Sequence, residues 1–429
     1  MRRRPAAQRS ARATALKSFT ARVIRTASRL EHIEPFYVME LAKAARTVAH
    51  SPECDPAQGG EPMVFLNIGE PDFTAVDAVR EAAERCLRGG LTQYTQATGL
   101  PALRERISGW YGGRFGVAVD PGRIVVTAGA SAALQLACLA LFEPGDDVLV
   151  PDPSYPCNRH FVAAVGAQAR LLPTSPATRF QPDAATVRAH WGAGTRGVLL
   201  ASPSNPTGTS IAPQELGAIA HAVRERGGVT LVDEIYLGLS YDAAYGHSAL
   251  ALPNGLGDGV ISINSFSKYF GMTGWRLGWL VLPSELVAPV EKLAQNLYIC
   301  PSTLAQHAAL ACFDAASMTE YESRRAEFQR RRDYCVAALE AMGLPVPVLP
   351  DGAFYAWFDC SRCSASSWDF CQDMMQRAHV ALTPGRDFGP AWADRFVRLS
   401  FASAMPQLQT AMARLQRELG AAETRVTSR

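Results

Sequence analysis

From residue 124 onward, short runs of valine, isoleucine and leucine alternate with longer stretches whose apolar positions return every three or four residues. The first pattern marks strands and the second amphipathic helices. Strands are expected at 124–127, 147–150, 197–201, 229–232, 260–264 and 277–282, with helices at 131–142 and near 213–226 between them. These strands are apolar on both faces, so they belong inside a sheet covered by helices on each side, a mostly parallel α/β sandwich of three layers. Beyond Leu282 the pattern turns helical. The stretch 319–342 is long and charged, and its run from Glu322 to Arg332 reads as a solvated helix face. A strand at 354–358, a helix near 367–378, strands at 380–382 and 396–401 and a last helix then describe a second, smaller α+β unit. Between His50 and Pro62, glycines and prolines mark an exposed loop.

The composition fits a soluble globular enzyme. Of 429 residues, 48% are apolar and 19% charged, which excludes a mostly disordered chain and provides a large core without disulfides or metals. The net charge of +2 gives no electrostatic reason for nucleic acid as the main partner. No apolar run approaches the ~18 residues of a membrane span. Ten cysteines, irregularly spaced, suit a reducing compartment. Cys360 and Cys363 form one CxxC with Cys371 beyond it. Neither a second such pair nor an adjacent histidine accompanies them, and no HExxH occurs, so no metal site is expected. Nine Arg/Lys residues precede Glu31, the first acidic residue, as in a mitochondrial transit peptide. Arginine outnumbers lysine 38 to 4 over the whole chain, however, so arginine in the tail says little about targeting. Residues 1–32 read as a basic extension of a cytoplasmic protein, with an organellar location as the alternative.

With four lysines, the search for a nucleophilic amine is short. Lys17 lies in the basic tail, Lys43 in an N-terminal helix and Lys292 beside Glu291 on another helix. Lys268 follows a buried strand among Phe266, Tyr269 and Phe270, surroundings that desolvate an amine and lower its pKa, as imine chemistry requires. Ser265, Ser267 and Arg276 bring two hydroxyls and a guanidinium close to it, a set suited to a phosphate dianion. Gly129-Ala130-Ser131 stands at a strand-to-helix junction, where backbone N–H groups and a helix N-terminus can share that phosphate. No GxxxxGK[ST] is present and no GxGxxG follows a strand, so the phosphate is assigned to a cofactor that also uses a lysine. Asp233 ends an apolar strand, an expensive place for a carboxylate without a cation. Asn205 sits in a polar loop where open α/β sheets bind ligands. Together these residues describe a pyridoxal phosphate site, in which the carboxylate keeps the ring nitrogen protonated and the ring withdraws electrons.

Six motifs extend this reading: Asn67-Ile-Gly-Glu-Pro-Asp-Phe73, Tyr94-Thr-Gln-Ala-Thr-Gly-Leu-Pro-Ala-Leu-Arg104, Asn205-Pro-Thr-Gly208, Asp233-Glu-Ile-Tyr236, Ser265-Phe-Ser-Lys268 and Arg398-Leu-Ser-Phe401. With them, in this order, the chain resembles the class I/II aminotransferases of fold type I, aspartate aminotransferase-like, from about Ile33 to Leu419. The resemblance implies a large pyridoxal phosphate-binding domain at 73–320 and a small α+β domain assembled from 33–72 and 321–429. It implies a homodimer with shared active sites that moves an α-amino group between an L-amino acid and a 2-oxo acid. The two half-reactions would alternate in ping-pong fashion through a Schiff base on Lys268.

By the same resemblance Lys268 shuttles the proton, Asp233 pairs with the ring nitrogen, and Asn205 and Tyr236 hydrogen-bond the ring oxygen. Tyr155 stacks on the ring, while Ser265, Ser267, Arg276 and the amides of Ala130 and Ser131 hold the phosphate. Tyr94 reaches the phosphate of the other subunit. Arg398 clamps the substrate α-carboxylate, with Asn205 and the backbone of Gly69 beside it. Strand alternation independently turns Arg398 away from Val397, Leu399 and Phe401. One position departs from the pattern. Some aspartate aminotransferases of this subgroup carry a lysine just after the glycine pair of the first phosphate loop, and here that residue is Ser131. A dicarboxylate substrate therefore does not follow from the resemblance, although another arginine could serve. Phe36 and Tyr37 could line an apolar side-chain pocket instead. A carbon–sulfur β-lyase or a decarboxylase on the same scaffold is the alternative reading, since the lysine and phosphate set is common to all three.

Overall fold

The computed structural model describes residues 24–35 and 37–427. Phe36, Lys17 and most of the basic extension lie outside the described residues. The strands are β1 (Val64–Phe65), β2 (Ile124–Thr127), β3 (Asp147–Asp152), β4 (Gln168–Pro173), β5 (Thr195–Ala201) and β6 (Val229–Asp233). They continue as β7 (Val260–Ser265), β8 (Gly278–Val281), β9 (Tyr355–Asp359), β10 (Val380–Ala381), β11 (Thr383–Pro384) and β12 (Phe396–Ser400). Seven of them form one sheet in the order β2-β8-β7-β6-β5-β3-β4. Only β8 runs against its neighbours; the β7-β6-β5-β3-β4 ladder is parallel throughout.

Alternation along the central strands explains the three layers. Leu199, Leu231 and Ile263 pack with Ala133, Leu134 and Ala137 of the helix Ala130–Leu141 on one face. Val198, Leu200 and Val232 pack with Leu216, Ile219 and Val223 of the helix Pro213–Arg224 on the other. Each such aliphatic side chain removed from water contributes roughly 1.5–3 kcal/mol, which fixes the register of every central strand. β4 escaped the sequence pattern. It is an edge strand with Gln168 and Pro173 exposed and only Leu172 fully buried, so it never shows the continuous apolar run of its neighbours.

A second region surrounds β9, β11 and β12, an antiparallel three-stranded sheet. β1 pairs with β10 in parallel, so residues 64–65 join the C-terminal part of the chain across more than 300 positions. The expected strand at 380–382 is in fact two: β10 serves β1, and after Leu382 the chain turns so that β11 pairs with β12. The charged run also departs from expectation. The helix Ala315–Ala341 contains it, but Arg331 and Arg332 are buried, not solvated. Arg331 donates from both terminal nitrogens to Asp72, at 2.8 and 3.1 Å, and stacks on Phe73 and Phe328. Arg332 donates to the carbonyl of Pro350. A planar guanidinium can satisfy several acceptors at once, which lets this helix clamp two loops of the molecule rather than face water.

Candidate active site

Parallel strands end together on one side of the sheet, and the predicted residues meet there. Ala201 of β5 pairs with Asp233 of β6, and Asp233 with Ile263 of β7, so the loops that follow these strands leave the sheet side by side. They bound a cavity of about 440 Å³. Ala130, Ser131, Tyr155, Asn205, Asp233, Tyr236, Ser265, Ser267, Lys268, Arg276, Gly69 and Arg398 all line it. Tyr94 does not: it is 80% exposed and stands outside the cavity of its own chain.

Lys268 is held by its neighbours. Phe266 and Phe270 are fully buried, each with its ring centroid 5.0 Å from another aromatic ring of the same cluster, which leaves Lys268 directed to the cavity. Its Nζ donates to the carbonyl of Gly69 at 2.7 Å. Desolvation pushes the amine down to about 8; Glu70 resists that shift, and Arg398 and Arg276 add to it. Asp233 is 5% exposed and accepts one hydrogen bond, from the N–H of Ile235. Burial pushes its carboxyl up to about 7 against that bond and the charge of Lys268. A buried carboxylate with so little compensation is stabilised by any cation brought against it.

The other groups are paired across the chain. Arg398, 4% exposed on β12, donates to Asn205 Oδ1 at 2.8 Å and to the carbonyl of Asn67 at 2.6 Å. Its guanidinium lies 4.5 Å from the ring of Tyr355 and 5.0 Å from that of Phe388, and its Nε–H has no partner among the described residues. Donor capacity of a fixed guanidinium is thereby left for an anion. The hydroxyls of Tyr236 and Tyr355 are 2.8 Å apart. Gly69 is required by packing: a methyl group there would overlap the Tyr355 hydroxyl, with Cζ only 3.0 Å away.

At the other end of the cavity, the hydroxyls of Ser265 and Ser267 are 2.9 Å apart. The helix Ala130–Leu141 opens beside them on Gly129, at φ +84° and without a side-chain cap, so its first N–H groups face the cavity unused. A Cβ on Gly129 would stand 2.7 Å from Nη2 of Arg276, so only glycine lets this guanidinium close on the helix end. Two hydroxyls, a guanidinium and open amides make a cradle for a dianion, and Asp233 offers a carboxylate to a protonated ring nitrogen. The residues fit pyridoxal phosphate.

Sequence reasoning missed Tyr355, Asn67, Glu70 and Arg46, which line the same cavity. Every residue of β9 is buried, so no alternation singles out Tyr355. Tyr37 stacks on Arg386, 4.4 Å from its guanidinium, and stands apart from the cavity; Val38, Met39 and Ala42 line it instead.

Fold and site together define an enzyme that uses pyridoxal phosphate with a lysine at the end of a parallel sheet. Residues 61–415 match the family "Aminotransferase class I and II", and the chain belongs to it. It is 37% identical over 385 residues to valine–pyruvate aminotransferase of Mycobacterium tuberculosis, spanning 89% of this chain and 96% of that one. It is 34% identical to aspartate aminotransferase of Pyrococcus abyssi, over 85% of this chain and 94% of that one. The crystal structure of an aminotransferase from M. tuberculosis superposes with a TM-score of 0.86 at 36% identity, covering 93% of this chain and all of that one. The protein is a pyridoxal phosphate-dependent aminotransferase, which moves an α-amino group between an amino acid and a 2-oxo acid.

Proposed function

We propose that Lys268 is the catalytic base and that Asp233, Tyr236, Asn205 and Arg398 set the geometry in which it acts. The observation that carries this assignment is the convergence on one cavity of a desolvated amine, a carboxylate short of donors and a stacked guanidinium. Bound there, pyridoxal phosphate supplies an aldehyde that captures amines and a ring that draws electrons from the substrate α-carbon. Lys268 Nζ would hold and move the proton of the substrate α-carbon, which its lowered pKa favours. Asp233 would keep the proton on the ring nitrogen, and Tyr236 and Asn205 would hold the ring oxygen. Tyr155 would cover the ring. Ser265, Ser267, Arg276 and the amides of Ala130 and Ser131 would hold the phosphate. Arg398 receives the substrate α-carboxylate beside Gly69 and Asn205, which fixes the α-proton toward Lys268.

Amino donor and oxo acid use this one cavity in turn, which is the basis of a ping-pong cycle. A homodimer completes it in this reading: Tyr94 is exposed, and Leu91, Leu297 and Ile299 expose apolar surface on segments tied together by the bond from Thr303 to the carbonyl of Gln93. Residues 33–72 with 321–429 act as a small domain around 73–320, supported by the pairing of β1 with β10. A cytoplasmic location is supported by ten cysteines that are all free. Among the described residues no helix is long and apolar enough to cross a membrane.

Visible absorbance of the purified protein, followed as amino acids are added one at a time, tests the assignment. The yellow band of the lysine-bound cofactor should give way to the pyridoxamine form as the matching oxo acid appears, and Lys268→Ala should abolish this. Release of pyruvate and ammonia with the band retained would reassign the residues to elimination.

A further inference from the structure

Tyr355 lines the cavity, yet the roles proposed above leave its hydroxyl without a task. Its place follows from strand pairing. Tyr355 lies opposite Ser400, and Trp357 opposite Arg398. Opposed residues of an antiparallel pair share a face, so Tyr355 stands diagonally beside Arg398 and the guanidinium stacks on its ring, 4.5 Å from the centroid. Gly69, by having no side chain, leaves room for the hydroxyl. Tyr236 comes from the turn after β6 and meets the same ring at 81°, with centroids 5.7 Å apart. Tyr355 and Tyr236 are 1% and 5% exposed. Their hydroxyls, 2.8 Å apart, are each other's only hydrogen-bond partners among the described residues.

Two buried phenols that share one hydrogen bond leave one proton over. Desolvation raises both above the ordinary phenol value, against the pull of Arg398, so both protons stay in place near neutral pH. With the cavity to themselves, either oxygen can donate to the other. A deprotonated ring oxygen of pyridoxal phosphate changes that, because it can only accept. With Tyr236 giving its proton to that oxygen, as read above, the Tyr236 oxygen becomes the acceptor of the pair and Tyr355 the donor. The direction is then set, from Tyr355 to Tyr236 to the cofactor. A hydroxyl that accepts one bond donates the next more strongly, by about 10–30% per bond.

We propose that Tyr355 is a positioning residue that acts through Tyr236, donating to its oxygen and so strengthening the bond that Tyr236 gives to the ring oxygen. The proposal rests on the assignment of Tyr236 to that oxygen. A stronger bond there draws electron density from the ring oxygen, which then holds less firmly the proton it shares with the nitrogen of Lys268. That proton is therefore lost at lower pH. Glu70 and Asp233 face the same nitrogen and hold the proton on it, while Arg398 and Arg276 repel it. Arg398 and Tyr155 face Tyr236. None of these groups is altered when the Tyr355 hydroxyl alone is removed.

The test is a pH titration of the visible band of the enzyme loaded with pyridoxal phosphate, which reads that proton without turnover. Tyr355→Phe removes the hydroxyl and keeps the ring on which Arg398 stacks. The midpoint should rise by roughly 0.3–1 pH unit, the share of one buried hydrogen bond that such a relay carries. Tyr236→Phe should raise it further, and Tyr236→Phe combined with Tyr355→Phe no further than Tyr236→Phe alone. Replacing Tyr355 by 3-fluorotyrosine, a more acidic phenol and a stronger donor, should lower it. The dissociation constant of propionate, which lacks an amino group, should not change in Tyr355→Phe, because Arg398 keeps its place. A midpoint that stays or falls in Tyr355→Phe, or effects of the two variants that add, overturns the proposal. Weakened propionate binding overturns it as well, by assigning the hydroxyl to the carboxylate site. If Tyr236→Phe leaves the midpoint unmoved, the assignment of Tyr236 to the ring oxygen fails first and the relay falls with it. Should Tyr355→Phe not fold or not hold the cofactor, the fluorotyrosine protein decides, and a midpoint that does not fall overturns the proposal.

Discussion

Gly69→Ala introduces a single methyl group, and the structure says where it goes. That carbon would overlap the Tyr355 hydroxyl, and Cζ and Cε1 of the same ring would stand 3.0 and 3.2 Å away. Tyr355 has no easy retreat. It is 1% exposed, it belongs to β9 opposite Ser400 of β12, and its ring packs on Phe354 at 4.9 Å and Tyr236 at 5.7 Å. Displacing the ring breaks its bond to the Tyr236 hydroxyl and withdraws the surface against which Arg398 is stacked. Overpacking of this kind costs about 1–3 kcal/mol. The melting temperature of the cofactor-free protein should therefore fall by roughly 1–4 °C. Loss of alignment at Arg398 should lower kcat/KM about 10- to 100-fold, the value of one or two charge-assisted bonds. Differential scanning fluorimetry and single-turnover absorbance with a converted amino acid measure the two effects. Gly69→Ala combined with Tyr355→Phe removes the clashing oxygen and leaves contacts at 3.0 and 3.2 Å that small shifts relieve, so part of both losses should return. If Gly69→Ala is indistinguishable from the parent, or the double variant is no better than the single one, steric conflict with Tyr355 is not why this position is glycine.

Three further outcomes follow from the same geometry. The rate at which the cofactor-free protein takes up pyridoxal phosphate should rise with pH through about 8, because only the neutral amine of Lys268 attacks; a midpoint near 10.5 would mean that the cavity does not desolvate it. Burial pushes the carboxyl of Asp233 from 3.8 up to about 7 in the folded chain, so folding binds its proton more tightly and stability should be lost as pH rises from about 4 to 7. Asp233→Asn should reduce that decline in the cofactor-free protein by up to roughly 2.5 kcal/mol between pH 5 and 7.5, read from denaturation at those two values, and an unchanged slope would contradict it. Arg276→Gln should weaken pyridoxal phosphate about 10- to 100-fold by equilibrium dialysis while leaving the melting temperature of the cofactor-free protein close to that of the parent, since among the described residues Arg276 makes one hydrogen bond, to the carbonyl of Thr273.

The sheet was legible because β2, β5 and β6 are apolar on both faces and carry that fact in a few consecutive residues. The edge strand β4 was not, since half its residues touch water and its identity comes from pairing with β3. Site residues divided the same way. Lys268 and Asp233 stand out locally, as a rare lysine among aromatics and a charge at the end of an apolar run. Arg398 could be assigned a face but not its partners, Asn67 and Asn205, which lie 331 and 193 positions away. Arg331 read as solvated because a run of charges on a helix usually is, and only the fold brings Asp72 and Phe73 to it. Arg46 carried no local signal at all.

Asp233 and Glu234 show what the structure adds to a pair that the sequence presents as equivalent. Both are carboxylates at the end of β6, both are buried, and burial pushes both up to about 7. Consecutive residues leaving a strand face opposite sides, so one enters the cavity and the other the protein interior. Glu234 accepts from the hydroxyls of Ser262 and Ser248 at 2.6 and 3.0 Å and from the N–H of Ala249 at 2.6 Å. Those three donors satisfy its oxygens and tie β6 to β7 and to the turn Ala249–Ala251. Asp233 has the N–H of Ile235 and no more among the hydrogen bonds of the described residues. A buried carboxylate that the protein has already satisfied gains little from a ligand. One left short of donors at the wall of a cavity gains the full attraction of any cation placed there, and the protonated nitrogen of pyridoxal phosphate is such a cation. The difference in donors, three against one, fits Glu234 to the scaffold and supports the role proposed for Asp233.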